Sequence, residues 1–157
     1  MASSPSQNCV ILLLLLNFCI SLILACIGGW AVNYSLQNDY FIDRGVVPPR
    51  EYSPVYFPMG NGATGFFVLF SLISGVVGAA SAIAVLSKMR SWGSDHGWLP
   101  AARSSGFTAW VLTLLSASLA IKEIVLEERN ARLRTMEAFN IILAVTQFAC
   151  IVAIHAA

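Results

Sequence analysis

The residues able to do chemistry in this 157-residue chain are few, and most lie close together: Lys122 and Glu123, then Glu127 to Arg134, then Glu137. An ammonium or guanidinium group there could hold a carboxylate or a phosphate, the guanidinium through a two-pronged fork. Lys122, Glu123 and Arg129 are the candidate substrate-binding residues, with Lys122 and Arg129 suited to an anionic ligand or a lipid headgroup and Glu123 part of the same polar site. Each neighbour also has a plainer reading. Lys122 near a helix end can extend its head to the headgroups. Glu137, in the first turn of the next helix, complements the positive end of the helix dipole. Arg129, Arg132 and Arg134 form a solvated hinge balanced by Glu127 and Glu128.

Catalytic constellations do not emerge. His96 and His155 stand alone, with no Cys, Asp or Glu at metal-ligand spacing, and no serine sits in a nucleophile elbow. The GNG at 60–62 lacks the lysine and the preceding strand of a phosphate-binding loop, and reads as a tight turn. No enzymatic activity, cofactor or metal is expected.

What must position these few charges is decided by composition. Apolar residues make up 57% of the chain and charged residues only 11%, against about 25% in soluble domains, too few to coat a globule. Nine basic against eight acidic residues leave no footprint for nucleic acid. No charge occurs before Asp39, and none between Glu51 and Lys88, which points to lipid as the solvent. Crossing a hydrocarbon core takes roughly 20 apolar residues. Four stretches qualify: Cys9 to Val32, Gly62 to Leu86, Gly106 to Leu126 and Met136 to Ala157.

Uninterrupted apolar runs rather than period-two alternation predict helices, not a barrel. The fold expected is an all-α, four-span membrane bundle, with one long loop between helices 1 and 2. That loop, Asn33 to Asn61, carries Pro48, Pro49, Pro54 and Pro58, and aromatic rings suited to the headgroup level. A signal peptide is the rival reading of the first span, but Met1 to Asn8 supplies no Lys or Arg.

A four-span chain returns to its starting side. Lys88, Arg90 and Arg103 then share one face, and Arg44, Arg50, Arg129, Arg132 and Arg134 the other, a slight lean toward a cytoplasmic long loop. The Asn33-Tyr34-Ser35 sequon argues for an exterior loop, and the side stays open. The cysteines at 9, 19, 26 and 150 lie in or beside apolar spans, where thiols act as small hydrophobes. Cys9 at the membrane edge reads as an inert buried thiol, with palmitoylation the alternative.

Small residues fall at helical spacing in the second span: Ser71, Gly75 and Ala79 on one stripe, Ser74, Gly78 and Ala82 on the next. Helices in lipid associate by close backbone approach, so this double stripe predicts a central helix touching at least two others. Matching stripes are Ser21, Ala25 and Gly29 in the first span and Thr113 and Ala117 in the third. A homo-oligomer contact is the other use for such stripes.

A resemblance adds to this reading. The segments LNF at 16–18, GGWAVN at 28–33, the block at 56–81, AWVLTLL at 109–115, KEI at 122–124 and RNARLRTMEAFNIILAVTQ at 129–147 resemble, in order, the AWPM-like (PM19-like) family of plant plasma-membrane proteins. That resemblance implies a multi-pass plasma-membrane protein linked to abscisic acid, seed maturation and drought, salt or cold stress, with facilitated uptake of the hormone as its leading function. The expected partners are membrane lipids, abscisic acid and a second copy of the chain. The alternatives are a scaffold that stabilises the membrane during dehydration, favoured by small-residue stripes and few buried polar groups, or an accessory subunit of a membrane complex.

Overall fold

The structure, a computed structural model, describes residues 5–37, 62–90, 98–124 and 131–156. They form four α-helices, α1 (Pro5–Gln37), α2 (Gly62–Arg90), α3 (Trp98–Ile124) and α4 (Ala131–Ala156). Each is long and apolar enough to cross a membrane, over Asn8–Gln37, Thr64–Ser87, Ala102–Lys122 and Ala131–His155.

The helices outrun the spans expected from hydropathy, because polar residues continue a helix once it leaves the hydrocarbon. α1 starts at Pro5 and α3 takes in Pro100 near its start. Proline is tolerated in a first turn, where its missing N–H removes no intrahelical bond. The residues from Trp98 to Ser105, which precede the third span expected from hydropathy, are thus helical. Similarly α4 begins at Ala131, so Arg132 and Arg134 belong to the helix rather than to the hinge.

That earlier start corrects the role of Glu137. The first turn of α4 holds no acid, and Glu137, a turn further in, is buried with 4% of its surface exposed. It lies inside the bundle and does not cap the dipole.

Neighbouring helices run antiparallel and close a ring: α1 packs on α2, α2 on α3, α3 on α4, and α4 back on α1. Every helix has two neighbours around the ring, and α2 reaches a third across it, where Asn140 of α4 donates to Ser71. The α1–α2 contact is the tightest. A Cβ built on Gly75 would lie 2.8 Å from the Ser21 carbonyl oxygen and 2.9 Å from the Ala25 nitrogen. On α1 the matching glycine is Gly28, whose Cβ would meet Leu72 at 3.0 Å. Gly29, expected at this contact, has nothing within 4 Å, because one residue of helix turns it about 100° away from α2.

The surface is apolar and the interior partly polar, the reverse of a soluble bundle. Leu12, Phe66, Ile121 and Val145 are more than half exposed, while Ser21, Ser71, Ser74, Thr113, Ser116 and Asn140 are fully enclosed. The expectation of few buried polar groups does not hold. Hydroxyls on the outer face satisfy themselves locally: Thr108 donates to the Ser104 carbonyl at 2.9 Å and Ser118 to that of Leu115 at 2.7 Å. A backbone acceptor one turn back is the nearest partner in a solvent that offers none.

Candidate functional site

The polar side chains inside the bundle form layers along its axis. In the half nearer the α1 C-terminus, α2, α3 and α4 are tied by one network. The Asn140 amide Nδ2–H donates to Ser71 Oγ at 2.7 Å, and Ser71 Oγ and Ser116 Oγ share a hydrogen bond of 2.7 Å. Ser74 donates to the Ser71 carbonyl at 3.1 Å and Thr113 to that of Ala109 at 2.9 Å. Asn140 Oδ1 and Ser21 Oγ are buried without a hydrogen-bond partner.

Toward the other end, α1 and α4 bring Asn17 and Gln147 to a cavity of about 40 Å³ that all four helices line. Gly78 makes room for them: a Cβ there would lie 2.7 Å from Ser21 Oγ and 3.3 Å from Gln147 Nε2. Glu137, Asn140 and Gln147 are spaced by three and seven residues and so share one stripe of α4. This spacing is the sequence signal for Asn140 and Gln147, which are neither charged nor small. In an otherwise apolar span, amides at helical spacing mark an inward face.

Of the sequence-derived binding residues, only the Lys122 side chain is among those described, and it does not reach this interior. Lys122 is exposed in the last turn of α3. The Glu123 side chain and Arg129 lie outside the described residues. Ala79 and Ala82 are buried on α2, and Ala25 is half-buried beside Gly75. Among the described residues no His, Cys, Asp and Glu cluster could hold a metal ion. All four cysteines are free, and Cys9 is exposed, contrary to the buried thiol expected, because the helix turns it outward. The Asn33 sequon residue is exposed near the end of α1.

At that same end, the Arg132 guanidinium of α4 lies over the Trp30 ring of α1, 3.9 Å from its centroid. Trp30 in turn meets Tyr34 at 5.5 Å between centroids. A cation over an indole face is attracted by the ring quadrupole, by about 0.5–1 kcal/mol at an exposed position. Arg132→Ala should lower stability in detergent by that amount, measured by thermal unfolding. In a Trp30→Leu background the same change should cost almost nothing. An equal loss in both backgrounds would refute the contact.

Four membrane-length antiparallel helices with an apolar outer surface and polar side chains within define a multi-pass helical-bundle membrane protein. Comparison with known proteins narrows the class. The chain belongs to the AWPM-19-like family, whose model matches residues 15–157. It is similar to a protein of Oryza sativa subsp. japonica named Membrane protein PM19L, 39% identical over 144 residues that cover 91% of this chain and 75% of the relative. No solved structure matches.

Proposed function

We propose that the protein resides in the plant plasma membrane and mediates facilitated uptake of abscisic acid as part of the response to drought, salt or cold. The hormone is taken from what the family resemblance implies. The observation that carries a transport reading is the polar interior. A passive filler of the bilayer is cheapest with an apolar core, whereas this bundle encloses amides, hydroxyls and the Glu137 carboxyl, and polar groups inside a membrane mark ligand pathways.

Abscisic acid is an amphipathic weak acid and needs an apolar surface with hydrogen-bonding partners for its carboxyl group. A pocket enclosing a molecule of that size measures about 300 Å³ or more, and the cavity here is about 40 Å³. On this reading the arrangement described corresponds to a closed state, and the path must open for the hormone to pass. The hormone passes when helices part around Asn140, or along a seam between protomers at the Lys122 end of α3.

Uptake of labelled abscisic acid into proteoliposomes tests this. Saturable flux above that of empty vesicles is expected. A several-fold loss in Asn140→Leu puts the path inside the bundle, and a loss confined to Lys122→Ala and Arg129→Ala puts it at the seam. Flux no greater than that of empty vesicles overturns the reading in favour of a scaffold that stabilises the membrane during dehydration. The closely packed interior is the observation favouring that second function.

A further inference from the structure

We infer that the cavity at Asn17 and Gln147 is a hydrated vestibule whose floor binds a cluster of about three waters. It goes beyond the uptake reading and does not depend on it. Four observations carry it.

First, the position is set by all four helices. The cavity spans Asn17 to Leu14 on α1, Gly78 to Val85 on α2, Ala109 to Ala102 on α3 and Gln147 to Ile154 on α4. Seven residues on each of the last three helices correspond to roughly 10 Å of depth. Ile154 and Ala102 lie within about a turn of the ends of their helices, on the face where α1 starts and α4 ends. The vestibule therefore lies close to one aqueous side.

Second, its floor has unmet polar atoms. Asn17 and Gln147 are 5% and 7% exposed, and Asn17 Oδ1 and Gln147 Oε1 have no hydrogen-bond partner among the described residues. Exchanging O and N in either amide leaves a buried polar atom in the same place, so the need for a partner does not depend on that assignment. Nearby Ser21 Oγ is in the same condition.

Third, the volume fits. A water occupies about 10–15 Å³ on this measure, so about 40 Å³ takes about three, at the end where the unmet amide oxygens of Asn17 and Gln147 lie. Fourth, the charge fits a neutral donor and not a cation. The unmet atoms are neutral, and Glu137 lies ten residues before Gln147 in α4, roughly 15 Å away. A cation there would lack a counter-charge in a low-dielectric interior.

The opposite half of the bundle is sealed. Ala31, Phe67, Ala120 and Met136, with Leu133, form an enclosed apolar cluster across all four helices. Water that enters at the vestibule therefore stops short of the other face, and the chain has one-sided aqueous access.

Hydroxyl-radical footprinting of the full chain in lipid nanodiscs tests this, because radicals formed on bound water label the side chains beside it. Leu14 lines the vestibule and is 5% exposed, while Leu15 and Leu16, at the same depth, face outward at 46% and 45%. A hydrated vestibule labels buried Leu14 at least tenfold faster than lipid-facing Leu15 and Leu16. The double variant Asn17→Leu, Gln147→Leu brings Leu14 down to their rate. Equal labelling of the three leucines in the wild-type protein overturns the inference, whether or not the variant folds. Undiminished Leu14 labelling in a folded double variant overturns the floor assignment. Neither outcome bears on hormone flux.

Discussion

Gly75→Ala should lower the stability of the bundle by about 1–3 kcal/mol, and Gly75→Val should prevent α1 from docking on α2. The added Cβ would lie 2.8 Å from the Ser21 carbonyl oxygen and 2.9 Å from the Ala25 nitrogen, and both are backbone atoms. No rotamer change relieves that contact, so the helices must separate. In lipid that loss is severe, because close packing of backbones takes the place of water exclusion in holding helices together. Gly29→Ala is the control: its Cβ meets nothing within 4 Å, and its cost should stay within about 0.5 kcal/mol. Gly78→Ala should fall between them, since its nearest neighbour at 2.7 Å is the rotatable Ser21 hydroxyl. Unfolding in mixed micelles, followed by tryptophan fluorescence, reads all three. Should Gly75→Ala prove as stable as Gly29→Ala, the α1–α2 spacing described here is wrong.

Asn140→Asp should cost about 3 kcal/mol, the scale for an acidic group placed in the middle of a membrane helix. The amide now gives a hydrogen to Ser71 Oγ at 2.7 Å, and an ionised carboxylate has none to give. Ser71 can turn its own proton toward the new acid, but only by withdrawing it from the Ser116 bond if it is the donor there. Asn140→Leu removes the interaction without adding charge and should cost less, about 0.6–1.7 kcal/mol, the range measured for interhelical hydrogen bonds in membranes. The same micelle assay distinguishes the two substitutions. Equal effects for Asp and Leu would mean that the site is already wet enough to solvate a charge. That would extend the vestibule well past Gln147 toward the sealed half.

Much of the fold is legible in the chain itself. Long charge-free apolar runs have one low-energy solution in a bilayer, because each backbone amide must find its partner within its own helix. The four helices, their order and their antiparallel alternation follow from that constraint and from the connections between them. Helix ends are less legible, since a helix continues into polar sequence at no penalty, as Trp98 and Ala131 show. The family was legible for a different reason, resting on long matching segments and not on any physical property of them.

The interior was not legible in the same way. Ser71 and Gly75 read as one small-residue stripe, yet Ser71 serves as the hydrogen-bond partner of Asn140 and Gly75 as the point of backbone approach. Composition and spacing cannot tell Gly28 from Gly29, or a capping Glu137 from a buried one. Those distinctions depend on the rotation of each helix about its own axis, which is settled only when four helices pack at once. Solvent preference acts on every residue separately and so can be read along the chain. The meeting of Asn17 with Gln147, or of Arg132 with Trp30, is a property of pairs distant in sequence, and only the tertiary structure decides it.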